Sequence, residues 1–368
     1  MRNLTVVAGT RPEIIKMAPI IRALQKSGIP FVFVHCGQHY DNNVSQRFIE
    51  ELGLPKPDYK CEVRAYSQGR QTARIIAHME QILKKTMPSL VLIEGDTNGV
   101  LATAIVSVKL GIPVGHVEAG LRSFDLRMPE EHNRRLTDHI STYLFAPTKT
   151  AENNLKKESV WGKIHITGNT IIDAVVRHIP VAEKKSKIIE EIRFKKFALA
   201  TAHRAENVDN PAVLRNLMEA FVESPIPVVY PLHPRTKKRL KQNRIYAKIK
   251  KSENLQFLLP LGYLDFLMLM KKCEIILTDS GGIQEEATAP QIRKPVLVLR
   301  QSTERPEAVE AGFAKVVGTE KQGILKAVEE SLNNRKRLPM DSPYGKGDAA
   351  ERIVKIIEEE IYQAKRCK

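Results

Sequence analysis

The strongest constraint in the chain is a repeated alternation of short apolar, β-branched runs with helix-forming segments, sustained from residue 4 to residue 299. The runs fall at residues 4–8, 31–36, 90–93, 143–146 and 164–166, and again at 197–201, 228–230, 255–258, 275–277 and 295–299. Strands separated by helical segments need crossover connections, which give parallel sheets covered by helices on both faces. At 368 residues the chain exceeds what one hydrophobic core usually organises, so two such domains are expected. The boundary is expected near residue 172, giving domains 1–172 and 173–348. An amphipathic helix over residues 349–365 is expected to pack back on the first domain.

Composition narrows the class. Hydrophobic residues make up 42% and charged residues 27%, the balance of a soluble globular protein. No stretch approaches the ~20 apolar residues of a membrane span, and the start runs straight into a strand without a signal peptide, so the cytoplasm is expected. Cys36, Cys61, Cys273 and Cys367 are scattered, which points to neither a zinc site nor a disulfide frame. The net charge of +16 raises the question of nucleic acid. Yet the basic runs at 184–196 and 235–251 are interleaved with Ile188, Ile189, Ile192, Leu240, Ile245 and Ile249 at helical spacing. Solvated helix faces account for them, and a small anionic substrate is the better reading.

The stretch from Glu274 to Ala289 carries the clearest chemistry. A buried strand ends in Thr278-Asp279-Ser280, followed by Gly281-Gly282 and a helix start. The first amides of a helix lack internal partners and sit at the positive end of its dipole. Glycines admit a phosphate to the backbone, and Ser280 can cap the helix or donate to the phosphate. Glu285 and Glu286 lie where a carboxylate can accept from sugar hydroxyls. A tight turn in any α/β protein is the plain alternative.

Other strand ends repeat this logic. Residues 9–13 place Arg11 in a Gly-Thr-Arg-Pro turn, with Lys16 one turn on; both are candidates to meet an anion. Pro19 is expected to kink or break that first helix. Asp96 follows the strand at 90–93 and either caps the next helix or faces a cleft, because ligands of parallel sheets sit outside the strands' carboxyl ends. Glu118 ends another strand, and Glu130 and Glu131 open a helix carrying Asp138. For Glu131 a helix-dipole role suffices. Three carboxylates at successive βα loops, Asp96, Glu118 and Glu130, favour acid–base work. His203 follows the first strand of the second half, where it serves a diphosphate or stands as a structural histidine. A helix through residue 176 and a basic helix at 182–194 are expected between the halves.

Taken together, G-T-R-P-E-x-I-K-M-A-P, E-G-D-T-N, H-V-E-A-G-L-R, P-E-E-x-N-R, T-x-H-R-x-E-N, T-D-S-G-G-I-Q-E-E-A and T-E-R-P-E run nearly end to end. In this order and spacing they resemble the non-hydrolysing UDP-N-acetylglucosamine 2-epimerases. The resemblance implies two Rossmann-like domains facing across a cleft, the GT-B architecture. It implies interconversion of UDP-GlcNAc and UDP-ManNAc by anti elimination of UDP to 2-acetamidoglucal and re-addition, with no cofactor and no metal. By motif, Asp96, Glu118 and Glu130 would be the acid–base carboxylates, and His203 and Arg11 leaving-group partners. Ser280, Gly281 and Gly282 would bind the diphosphate and Glu286 the ribose; Lys16 and Arg305 are further substrate-binding candidates. Gln38 and His39 match part of a second, activating UDP-GlcNAc pocket, although Asp41 stands where a glutamine is expected. Two further departures are Ala205 in place of a second arginine and Arg293 in place of a glycine. No nucleic-acid or membrane partner is expected, and a homodimer is. Another GT-B enzyme acting on a UDP-sugar, a glycosyltransferase or a hydrolysing 2-epimerase, is the alternative.

Overall fold

A computed structural model describes residues 3–37, 48–61, 63, 67–333 and 338–363. The chain forms two compact units, Met1–Ala174 with Tyr344–Lys368, and Val175–Pro343. The first unit contains a seven-stranded sheet of β1 (Leu4–Ala8), β2 (Phe31–His35), β3 (Tyr59–Lys60), β4 (Leu90–Glu94), β5 (Val114–Val117), β6 (Tyr143–Ala146) and β7 (Lys163–Ile166). Its order is β3-β2-β1-β4-β5-β6-β7, parallel throughout. The second contains β8 (Ala198–Thr201), β9 (Val228–Pro231), β10 (Leu255–Leu258), β11 (Ile275–Thr278), β12 (Val296–Val298) and β13 (Ala314–Val316). Its order, β10-β9-β8-β11-β12-β13, is parallel as well.

Both orders reverse direction beside the first strand of their sheet. Strands β1 and β4, and strands β8 and β11, therefore flank a crevice at their carboxyl ends, where open α/β sheets take ligands. The central strands β1, β4, β8 and β11 are buried along their whole length, as sheets covered on both faces demand.

Several expectations change at the element level. The helix Arg11–Lys26 runs past Pro19 without a break, because a proline removes one backbone bond and this helix keeps its apolar face buried on both sides of it. The stretch expected as two helices is one helix, Thr170–Lys185, which contains Pro180; a 3₁₀ turn at Ile188–Glu191 stands in place of the basic helix at 182–194. The basic run after residue 234 divides into Pro234–Gln242 and Tyr246–Ile249, with Arg244 in a left-handed conformation between them. The C-terminal α-helix is Ala349–Ile357, continued as a π-helix over Glu358–Gln363. It packs on the helix Arg11–Lys26, in the first unit. Its first amides, of Ala349 and Ala350, donate to the Asp173 carboxylate at 3.3 and 2.9 Å. Among the described residues, no helix is long and apolar enough to cross a membrane.

Candidate active site

In the first unit three acidic positions converge at the carboxyl ends of β4 and β5. Glu94, the last residue of β4, is paired in register with Val117 of β5, so Glu118 follows directly beside it. Lys16 reaches between them from the helix Arg11–Lys26. Its ammonium lies 3.3 Å from a Glu94 oxygen and hydrogen-bonds to Glu118. Glu118 also accepts from Asn169 Nδ2 at 2.8 Å. Burial pushes the Glu94 carboxyl well above the usual carboxylate range; Lys16 opposes this, while Glu118, Glu13 and Asp96 add to it.

Glu118 has a φ of 68°, in the left-handed region, which costs a non-glycine residue about 1–2 kcal/mol. The turn is held there by a buried network. Asp138 takes the Gly120 amide at 3.2 Å, the Arg122 guanidinium at 2.7 Å and His116 Nδ1 at 2.7 Å. His116 Nε2 in turn meets the Gly95 carbonyl at 2.8 Å and so ties the β5 turn to the β4 turn. Burial pushes the Asp138 carboxyl up, but the charge and hydrogen bonds of His116 and Arg122 bring it below its ordinary value. Gly120, at φ 85°, admits no side chain, since a Cβ would stand 2.3 Å from the Ala151 carbonyl oxygen.

Asp96 does not cap its helix. Thr97 is the N-cap of Asn98–Lys109 and accepts the Val100 amide at 3.4 Å. The Asp96 carboxylate, about a third exposed, pairs with Arg134. The Asp96 carbonyl accepts from Asn133 at 2.9 Å. Arg134 also binds Glu131 at 3.1 Å, and Glu131, fully buried, takes the Ser123 amide and hydroxyl at 2.9 Å each and the Phe124 amide at 3.3 Å. Glu131 thus fixes the preceding loop instead of serving the dipole of its own helix. Glu130 beside it is exposed on the first turn of Pro129–Ile140.

Arg11 lies with its guanidinium 4.4 Å from the centre of the Phe48 ring. Glu13, unassigned in the sequence, accepts the Gly9 amide at 2.6 Å and the Thr10 amide at 3.3 Å, closing the turn that carries Arg11. Gln38 and His39, the second-site candidates, lie outside the described residues, as does Asp41.

In the second unit the corresponding crevice is bridged by Thr201 and Thr278, whose hydroxyls meet at 2.6 Å across β8 and β11. Asp279 follows, fully buried, and accepts the His203 amide at 2.9 Å, the Arg204 amide at 2.9 Å and Asn207 Nδ2 at 3.0 Å. Its other oxygen lies 3.2 Å from His203 Nδ1. Burial pushes Asp279 up, but His203 and these amides carry it below the ordinary aspartate range. With Nδ1 held, His203 presents an imidazole whose side chain is 44% exposed. Ser280 stands at the N-cap of Gly281–Glu286 with no hydrogen bond from its own side chain to the helix. A Cβ on Gly281 would come within 2.9 Å of Glu304, whereas one on Gly282 would meet nothing within 4 Å. The helix start is thus close-packed on one side and open on the other.

The walls of this cradle correct one assignment. Glu285 is no acceptor for a sugar: it is fully buried and bound by Arg305 Nε. Glu286 is the next residue and is 6% exposed. Arg305, itself buried, backs Gly281. Arg204 is committed to Glu304 at 2.6 Å, and Glu304 also binds Arg300. Burial pushes Glu304 up, but Arg204, Arg305 and Arg300 hold it far below the carboxylate range. The arginine at this turn is therefore engaged within the protein, and Ala205 leaves no second one. Arg293 adopts the left-handed φ of 46° that a glycine would favour, and its guanidinium anchors the turn through the Pro339 and Leu338 carbonyls at 3.0 and 2.5 Å.

Sequence reasoning missed Glu94, Glu13, Asn169, Arg134, His116 and the buried role of Asp279. For Glu94 a signal existed, an acid closing an apolar run, and for Glu13 the Thr-x-x-Glu capping box; the others declare themselves through partners far away in sequence.

Comparison with known proteins bears on these crevices. The family model described as UDP-N-acetylglucosamine 2-epimerase matches residues 22–358. A Methanocaldococcus jannaschii UDP-N-acetylglucosamine 2-epimerase is 47% identical over 96% of this chain and 98% of its own length. A crystal structure of the M. jannaschii UDP-GlcNAc 2-epimerase, in complex with UDP-GlcNAc and UDP, superposes with a TM-score of 0.90 over 97% of this chain and 99% of that one, at 47% identity. A Pseudomonas aeruginosa relative, 39% identical over 97% of this chain and 99% of its own, is a UDP-2,3-diacetamido-2,3-dideoxy-D-glucuronate 2-epimerase.

Proposed function

Because the chain belongs to the UDP-N-acetylglucosamine 2-epimerase family and is thus an isomerase of GT-B architecture, we propose that it interconverts UDP-GlcNAc and UDP-ManNAc. Anti elimination of UDP gives 2-acetamidoglucal, and UDP adds back after protonation on the other face. The observation that carries this reading is the pairing of chemistries at the two switch points. One offers carboxylates at βα turns; the other offers an open helix start beside a buried Asp–His pair. In the reading, Asp96, Glu118 and Glu130 handle the weakly acidic proton of carbon 2. His203, kept in one orientation by Asp279, supports the departing diphosphate, as do Arg11 and the amides at Ser280, Gly281 and Gly282; Lys16, a substrate-binding candidate, is held between Glu94 and Glu118. Glu286 accepts from the ribose. Arg305 acts from behind, holding the cradle through Glu285. The working unit is a homodimer of the cytoplasm.

Incubation with UDP-GlcNAc alone, without nicotinamide or added metal, tests the assignment. UDP-ManNAc appearing to an equilibrium mixture is the expected outcome. Free ManNAc with stoichiometric UDP would mark a hydrolysing enzyme, and consumption only with an added acceptor would mark a glycosyltransferase.

The Pseudomonas relative favours a second reading, in which the natural substrate is a uronate bearing acetamido groups at carbons 2 and 3. A kcat/KM comparison of the two UDP-sugars separates the readings. In the first, UDP-GlcNAc is preferred by tenfold or more, a difference of about 1.4 kcal/mol in transition-state binding.

A further inference from the structure

We propose that Glu94 is a positioning residue that keeps Lys16 paired in both protonation states of Glu118, the two carboxyls exchanging one proton through the Lys16 ammonium. The inference rests on the acid–base reading of Glu118.

The geometry places one cation between two acids with almost no access to water. Side-chain exposures are 6% for Lys16, 2% for Glu94 and 7% for Glu118. Lys16 Nζ is 3.3 Å from Glu94 and hydrogen-bonds to Glu118, whose same oxygen accepts Asn169 Nδ2 at 2.8 Å. A buried ammonium flanked by two carboxyls is neutral overall only when one of them holds a proton. The surroundings oppose a second negative charge. Glu13 faces the group from the helix that carries Lys16, and Asp96, engaged by Arg134, lies two residues along the β4 turn. Cys36 lies close enough to Glu13 to interact with it, and His116 is directed to the Gly95 carbonyl and Asp138.

The proton balance has two states. In the first, Glu118 is ionised and takes an N–H of Lys16, while Glu94 carries the proton. In the second, Lys16 gives a proton to Glu118 and takes one from Glu94, which ionises and becomes the counter-ion. Only O–H and N–H bonds change, and the net charge of the trio is constant. The proton that Glu118 delivers to substrate is replaced from solvent. Without a carboxyl at position 94, protonating Glu118 would remove both carboxylates that flank the buried ammonium, which disfavours the acid form. With Glu94 present, that form costs no isolated charge.

Glu94→Gln tests the proposal, since it keeps volume and hydrogen-bonding capacity but cannot exchange the proton. In the reading above, kcat falls roughly tenfold or more at neutral pH and KM for UDP-GlcNAc changes less than about threefold. The alkaline limb of the kcat profile moves at least about one unit down, because Glu118 now loses its proton at lower pH. Glu94→Asp, which restores a carboxyl, recovers most of the rate and the limb. An unchanged kcat and profile in Glu94→Gln overturns the proposal, as does a loss of rate with no movement of the limb and no recovery by aspartate. Glu118→Gln is measured beside it: full turnover there overturns the acid–base reading itself, whereas its loss with Glu94→Gln unaffected overturns only the exchange. Should Glu94→Gln fail to fold, the infrared spectra of wild type and Glu118→Gln at neutral pH decide. A protonated-carboxyl band present in wild type and lost in Glu118→Gln, where Glu94 alone balances Lys16, supports the proposal; a band that persists in Glu118→Gln, or no band in wild type, contradicts it.

Discussion

At Asp279 one buried carboxylate organises a whole corner of the second crevice. It accepts two backbone amides and the Asn207 amide, and its free edge orients His203. Its pKa is depressed on folding, so the stability it contributes is present above the ordinary aspartate range and is lost as pH falls into it. Asp279→Asn should lower stability by about 1.5–3 kcal/mol, the worth of hydrogen bonds to a charged group. A urea titration at neutral pH and again at low pH checks this, and the gap between variant and wild type should narrow as the pH falls. Activity should separate the other residues by role. Glu286→Ala should weaken UDP binding by one to two decades in calorimetry, about 1.5–3 kcal/mol. Asp96→Asn, Glu118→Gln and Glu130→Gln should keep UDP affinity and lose turnover. Equal damage to binding in all four would show the roles to be wrongly divided.

Among the elements, the C-terminal helix depends on an acid that sequence reading left aside. Asp173, 7% exposed, caps it through the Ala349 and Ala350 amides. Burial pushes its carboxyl up to about 6, against hydrogen bonds from those amides that pull it down. The sign of the linkage follows. Its contribution is fully present below the unfolded value near 4 and is lost as pH rises through about 6. Wild type should therefore lose stability relative to Asp173→Asn across that window, and Asp173→Ala should cost a further 0.5–2 kcal/mol or so as the cap disappears. Melting temperatures of the three proteins from pH 4 to about 7 measure both effects. The same scale shows why strands were legible and some boundaries were not. Buried parallel strands announce themselves as apolar runs, as at Leu90–Glu94 and Ile275–Thr278. Strand β3 has two residues and no period to detect, and the cap that the sequence offered to Asp96 is taken by Thr97, one residue on.

Over the whole molecule, the motifs mark the candidate site because most of them follow directly on the end of a strand, and strand ends are what the alternation of apolar runs reveals. What stays hidden is the charge bookkeeping behind them: Lys16 with Glu94, Arg204 with Glu304, Arg305 with Glu285. These partners lie 20 to 100 residues apart in sequence, and pattern alone does not pair them. The central claim is that a chain with this arrangement removes and replaces the hydrogen at carbon 2 of a UDP-sugar through elimination of UDP. Proton NMR of UDP-GlcNAc with the enzyme in heavy water tests it most directly. The account predicts UDP-ManNAc carrying deuterium at carbon 2, with deuterium entering the UDP-GlcNAc pool as the reaction reverses. Epimerised product that retains its original hydrogen would contradict it.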